Sequence, residues 1–286
     1  MALRKYTRHL LAALVLGAAP LAATPALAND SAATNDSELT IGIGAGVAPS
    51  YAGSDDYIAL PGAMMRGRYD GFAFFTRGPN LYVDVLRGMQ FKGFDLEFGP
   101  VVNYRPDRSG RIKDSQVAAL GELDAAWELG GWVGIGRSGV LTSPYDSLSF
   151  RVSVIQDVSG AHKSFMVSPS IEYGTPLSKT SYLGLSASLD YVGKGFGSYY
   201  YNIDSVGALA SGLTAYSGAG DKAGFSRLNT ALFAAKSLSG DLRKGWAIIA
   251  IGSYGRMLGR YKDSPIVRDA GSAGQWLGGL GVAYTF

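Results

Sequence analysis

The last twelve residues, Gln275–Phe286, read QWLGGLGVAYTF and constrain the fold more than any other stretch. Taken by twos from the end, Phe286, Tyr284, Val282, Leu280, Gly278 and Trp276 form an apolar face rimmed by aromatics. Thr285, Ala283, Gly281, Gly279, Leu277 and Gln275 form a small, more polar one. A period of two is a strand pattern, because successive side chains leave a pleated strand on opposite sides. Two folds use such a strand: a soluble sheet that buries the apolar face, or a barrel that turns it to lipid.

Strand length separates the two. Phe94, Leu96, Phe98, Val102 and Tyr104 oppose Asp95, Glu97, Asn103 and Arg105, and Leu148, Phe150, Val152 and Val154 oppose Ser149, Arg151 and Ser153. Phe165, Val167, Ile171 and Tyr173 oppose Ser168, Ser170 and Glu172, and Leu183 to Tyr191 oppose Gly184, Ser186, Ser188 and Asp190. These runs approach ten residues, the length that crosses a bilayer at a tilt, whereas soluble strands average about 5 to 6. Apolar-out, polar-in strands of that length predict an all-β, transmembrane antiparallel barrel, closed because lipid leaves no unpaired backbone satisfied.

The N-terminus supports export. Arg4, Lys5 and Arg8 precede the apolar stretch Leu10–Ala19, and Ala26-Leu27-Ala28 is a small-residue cleavage site, so residues 1–28 read as a signal peptide cut after Ala28. Residues 29–38 read as a polar, flexible lead-in and 39–286 as the barrel. The signal holds three of the 26 Lys+Arg and none of the 23 Asp+Glu, so the mature chain has 23 of each. That balance excludes a basic nucleic-acid surface. With no cysteine there is no disulfide, thiolate metal site or cysteine nucleophile. The 40 glycines, 17 tyrosines and 12 phenylalanines suit twisted strands with aromatic rims better than helices.

Strand count follows from parity. Eleven segments are visible, and splitting 71–86 at Gly78-Pro79-Asn80, a turn signal, gives twelve, an even number that leaves both termini and the short turns at the periplasmic end. Ten strands, with two short segments demoted, is the alternative. With twelve, the long loop 193–223 and the segment 258–274 fall outside the cell. Trp246–Ile251 and Leu228–Ala235 alternate poorly and are expected where a loop or plug covers the lumen.

The candidate chemistry is sparse. His162, Lys163 and Ser164 precede Glu172 by a strand segment, a pattern that could serve a lipid-modifying hydrolase. Eight residues of extended chain separate Ser164 from Glu172 by over 25 Å at about 3.3 Å per residue, which defeats the triad and leaves His162 an ordinary loop residue. Asp55 and Asp56, with Asp70, offer too few oxygens for a hard cation and read as a solvated turn, with Asp55 a candidate cap. No metal or cofactor is expected. Tyr199-Tyr200-Tyr201 and Trp246 read as interfacial belt residues. Asp95, Glu97, Arg105, Glu128, Arg151, Glu172 and Asp190 fall on polar faces; of mixed sign, they read as a lumen-facing pairing network rather than an ion-selective pore.

Three stretches, in order along the chain, resemble the MipA/OmpV family of MltA-interacting outer-membrane proteins: GIGAGVAPSYAGSDDYIALPG (Gly42–Gly62), SVGALASGLTAYSGAG (Ser205–Gly220) and DSPIVRDAGSAGQW (Asp263–Trp276). Ala273 stands where the family pattern has a basic residue. The terminal Phe286 with Tyr284 is similar to the closing strand of outer-membrane barrels, which implies recognition by the barrel-assembly machinery. The family resemblance implies an outer-membrane barrel embedded in lipid, with a non-catalytic scaffold role joining a murein hydrolase to a murein synthase. A passive channel for small solutes is the alternative expectation, and a lipid-modifying hydrolase the remote one.

Overall fold

Alternation sets the architecture. In the computed structural model, which describes residues 38–286, the apolar face of each long strand points outward: Ile43, Phe150, Leu280 and Val282 are exposed, whereas Arg151, Ser153, Glu172 and Asn229 are buried. The expected signal peptide, its Ala28 cleavage site and the lead-in through residue 37 lie outside the described residues. Glu38 is already in the first strand.

The strands are β1 (Glu38–Pro49), β2 (Tyr57–Tyr69), β3 (Phe72–Arg77), β4 (Asn80–Asp84), β5 (Gln90–Phe91), β6 (Phe94–Arg105), β7 (Ala126–Ser138), β8 (Ser147–Asp157), β9 (Phe165–Ser178), β10 (Ser181–Val192), β11 (Gly224–Ser237), β12 (Gly245–Met257) and β13 (Gly274–Thr285). Each pairs antiparallel with its sequence neighbour around the wall, β1 pairs with β13, and β4 pairs with β6 to close the ring. The two-residue β5 only extends a turn beside β6, leaving twelve staves. Splitting 71–86 is therefore correct: Gly78, at φ 54°, turns β3 into β4. The ten-strand alternative falls away.

The closing strand takes the expected orientation. Trp276, Leu280, Val282 and Phe286 face out; Gln275, Leu277, Ala283 and Thr285 face in. Thr40 and Thr285 share a hydroxyl hydrogen bond of 2.8 Å where the first and last strands meet.

The two ends of the barrel differ. At the end carrying Glu38 and Phe286, the connections are 70–71, 85–93, 139–146, 179–180 and 238–244. At the other end the connections carry the α-helices of the described residues: α1 (Ser115–Ala119), α2 (Lys194–Tyr201), α3 (Ser205–Ser211), α4 (Gly259–Lys262) and α5 (Pro265–Arg268). The glycine-rich composition obscures these helices, yet local caps define two of them. Asp114 accepts from Val117 N at 2.9 Å to start α1, and Asp204 accepts from Gly207 N at 2.7 Å to start α3.

The poorly alternating stretches do not lie beneath those helices. Phe233, Ile249 and Ile251 line a small apolar hollow with Met64 and Gly42, Gly44, Gly279 and Gly281, about midway along the strands. The glycines of β1 and β13 leave room beside them that large apolar side chains of the adjoining strands β12 and β11 enter, and this accounts for the loss of alternation.

Candidate functional site

Inward polar residues of a narrow barrel must satisfy one another, and here they do so across the lumen. Glu172 on β9 accepts from Arg77 on β3 at 2.5 Å and from Arg151 on β8 at 2.6 Å. Arg151 also donates to Glu97 on β6 at 2.9 Å. Four staves, β4, β6, β7 and β8, separate β3 from β9 along the wall, so the Arg77–Glu172 pair spans the interior. An aromatic cluster supports it: Phe75 and Tyr82 stack with centroids 5.3 Å apart, and Trp132 meets both edge-on. The guanidinium of Arg77 lies over Phe75 at 5.1 Å and that of Arg151 over Trp132 at 5.7 Å.

A second cluster lies toward the helical end. Arg105 grips Glu128 through two hydrogen bonds of 3.1 and 3.0 Å, Asn103 donates to the same carboxylate, and His162 Nε2 lies 2.9 Å from it. Of the residues expected to line the lumen, Glu97, Arg151 and Glu172 thus share one network, and Arg105 and Glu128 another. Asp190 stands apart, accepting from Ser168 at 2.7 Å and Asn229 at 3.1 Å. Asp95 sits half-buried at the rim, accepting from Gln90 at 2.8 Å, away from both networks.

Sequence reasoning missed Arg77, Asn103 as a ligand of Glu128, and His162. Arg77 lies on a strand too short to show alternation. His162 is a correction: it is buried on Glu128, against the rings of Phe196 and Tyr200. Its acid neighbour is Glu128, not Glu172, and the only way to foresee that was to pair β7 with the loop after β8.

The helices form a cap over this end. Val192, Phe196, Tyr200, Tyr201, Met257 and Tyr261 make one apolar cluster, and Tyr51, Val117, Ile203, Leu213, Ile266 and Ala270 another. Tyr200 and Tyr201, expected in an interfacial belt, are 0% and 2% exposed inside the cap. Burial pushes both hydroxyls above their ordinary value and keeps them neutral. They fold inward because α2 returns the chain over the lumen instead of along the wall. Trp246, by contrast, is exposed on β12 against Tyr284.

The three stretches quoted for their family resemblance meet in this cap. Tyr51 donates to Ala270 O at 2.6 Å, and the Gln275 side chain accepts from Gly53 N and donates to Tyr51 O and Ser54 O. Gly53 has φ 108°, and a Cβ there would lie 2.6 Å from Val267 Cγ2, so turn and packing both require glycine. Ala273 O accepts from Met257 N at 2.7 Å, and its side chain packs against the first cluster, a place for a small apolar group. Ser54, not Asp55, caps the 50–56 turn through its hydroxyl on Asp56 N at 3.0 Å. Asp70 is at the opposite end of the barrel, 3.4 Å from Arg87, so it cannot join Asp55 and Asp56 around a cation.

A family model described as MltA-interacting protein MipA matches residues 41–286. Among solved structures, the chain is similar to the outer-membrane expressed OmpT of Vibrio cholerae, with 8% identity over 88% of this chain and 97% of that one and a TM-score of 0.39. It is also similar to OccK11 (OpdR) of Pseudomonas aeruginosa, with 13% identity over 88% and 96% of the two chains and a TM-score of 0.27. A FadL homologue of Pseudomonas aeruginosa matches with 10% identity over 87% and 89% and a TM-score of 0.28. These scores add nothing to what the strand pairing itself establishes. No individual curated protein matches. The match over residues 41–286 makes this chain a member of the MltA-interacting protein MipA family.

Proposed function

We propose that this chain is an outer-membrane barrel that works by binding: a non-catalytic anchor holding a murein hydrolase, and a murein synthase with it, at the end that carries the termini. The observation that carries this reading is the cross-lumen link from Arg77 through Glu172 and Arg151 to Glu97 beneath a folded cap. A barrel filled in this way has little room for solute traffic, which leaves its surfaces as the working parts. The family's description supplies the class of partner. The turn end offers Leu141, Tyr145, Leu177 and Leu238, all more than half exposed, as apolar anchors for a partner.

On this reading, residues 1–28 are removed after Ala28 during export, and Tyr284 and Phe286 address the chain to the barrel-assembly machinery. Photo-crosslinking from Ser178 or Asp241, both in or beside turns of this end, should recover a murein hydrolase from envelope membranes. Recovery of no murein enzyme from either position would refute the anchoring role. The purified barrel should be silent in a planar bilayer, and discrete conductance steps would favour a channel instead.

A further inference from the structure

The wall of the barrel is incomplete. Strand β2 pairs with β1 from Tyr57 to Arg68, but β3 meets it only from Arg66 to Tyr69. Just beyond, the Thr76 hydroxyl takes the Met65 N–H at 3.0 Å and ends the pairing. Among the described residues, Tyr57–Met64 have a register partner only in β1, an open edge of about 25 Å at roughly 3.3 Å per residue. The β3–β4 hairpin leans the other way, onto β6, where Pro79 O still accepts from Tyr104 N. A split therefore runs between β2 and the hairpin, in the half of the wall nearer the cap.

Behind the split is a hollow of about 230 Å³ that is open to its surroundings. Ile58, Leu60, Pro79, Tyr104 and Leu277 give it an apolar entrance. Its charges are unbalanced. Arg105 is spent on Glu128, and Asp107 accepts from Ala52 N at 2.9 Å. Arg227 and Arg111 also line the hollow, and neither has a carboxylate within 4.0 Å among the described residues. Arg227 Nε is buried with no hydrogen-bond partner. A Cβ at Gly255 would lie 2.3 Å from Arg227 Nη2, so the neighbouring strand β12 yields space to hold this guanidinium.

An unpartnered guanidinium calls for an anion, and an apolar slot opening toward lipid calls for a hydrocarbon chain. We propose that this hollow binds a single-chain anionic amphiphile entering sideways from the surrounding bilayer. Its carboxylate or phosphate meets Arg227, and its chain lies between Ile58 and Leu60 and the hairpin. The amphiphile's headgroup level would also hydrate the open edge of β2, which hydrocarbon alone would leave unsatisfied.

The test uses the full mature barrel in nanodiscs carrying a palmitate probe with a chain diazirine, with labelled peptides mapped by mass spectrometry. Labelling should concentrate on the peptides bearing Ile58, Leu60 and Leu277, exceeding that at the outer-face residues Ile43 and Leu280. Arg227→Met should cut the inner labelling about tenfold, Arg227→Lys should restore part of it, and the probe's methyl ester should label the inner peptides as weakly as Arg227→Met does. Folding of each variant is checked by heat-modifiable migration. Should Arg227→Met not fold, Ile58→Trp, which fills the entrance, is read for the same loss. Labelling confined to Ile43 and Leu280, or inner labelling indifferent to both the carboxylate and the variants, would overturn the proposal.

Discussion

Replacing Glu172 by Gln tests the lumen network most directly. Glu172 takes Arg77 at 2.5 Å and Arg151 at 2.6 Å, and these side chains are only 4% and 6% exposed. An amide keeps the shape but cannot neutralise two guanidiniums. Arg151 retains Glu97; Arg77 loses its one salt-bridge partner among the described residues, Glu172. A unit-charge pair about 4 Å apart at an effective dielectric of about 20 is worth roughly 4 kcal/mol, and breaking buried pairs typically costs about 3–5 kcal/mol. We therefore expect Glu172→Gln to destabilise the barrel by about 3–5 kcal/mol, on the order of 10 °C in its unfolding midpoint for a chain of this size.

The assay is heat-modifiable migration of refolded protein, scored as the fraction folded against temperature. The double variant Glu172→Gln/Arg77→Met supplies the internal control, because removing the stranded cation should recover part of the loss. If Glu172→Gln unfolds with the wild-type midpoint, the cross-lumen pair is not structural. If the double variant is weaker than the single by the full cost of Arg77→Met alone, the two residues act independently and the network reasoning fails.

Other consequences are as concrete. His162→Ala removes the cap's contact with Glu128 and two aromatic rings; it should expose the cap loops to trypsin on intact cells while barrel migration changes little. Gly53→Ala places a methyl in the space of Val267 at a positive φ, a change expected to cost about 1–3 kcal/mol and to raise amide exchange across 50–56 and 264–272. Deleting Phe286, whose N–H bonds Leu39 O at 2.9 Å and whose ring meets Tyr284, should lower the amount inserted in the membrane far more than deleting a cap residue such as Leu209, measured by fractionation. For Asp146, burial alone would raise the carboxyl, but the N–H groups of Thr142, Val140 and Leu141 and the Tyr173 hydroxyl outweigh it and hold it below the ordinary range. A depressed folded value means its stabilising contribution is complete above the unfolded value of about 4 and is lost as pH falls below it. Amide protection at Val140–Thr142 should fall below about pH 4 in the wild type and be low at every pH in Asp146→Ala.

Much of the wall was legible because lipid on one side and a polar lumen on the other impose a strict period of two. The ends of β6, β8, β10 and β13 could be placed to within a few residues on that basis alone. The cap was not legible, since its helices are short and carry glycine and tyrosine, and their apolar faces meet one another instead of a periodic surface. Tyr200 and Tyr201 show the error: three aromatics in a row suit a membrane belt as well as a helix that folds back, and only tertiary contacts decide. For the networks, sequence supplied most of the charges but not the pairs. Glu172 and Arg77 are neighbours because β3 and β9 face each other across the ring, a relation fixed by strand number and stagger.

A polar interior is also what the chain needs before the barrel exists. An exported chain of long strands apolar on both faces would associate in water through its edges, whereas strands such as β8 and β9 carry Arg151, Ser153, Glu172 and Ser168 on one side. Closure then turns that solubility into a constraint, because these groups leave water together and each needs a partner. Arg77 and Arg151 against Glu97 and Glu172 make two charges of each sign, and the cluster is neutral as a unit. A strand slipped by one residue would bring its apolar side chains into the lumen and strand its charges in lipid. The network therefore discriminates between registers more than it adds net stability, and it rewards only the pairing in which all twelve staves are in place.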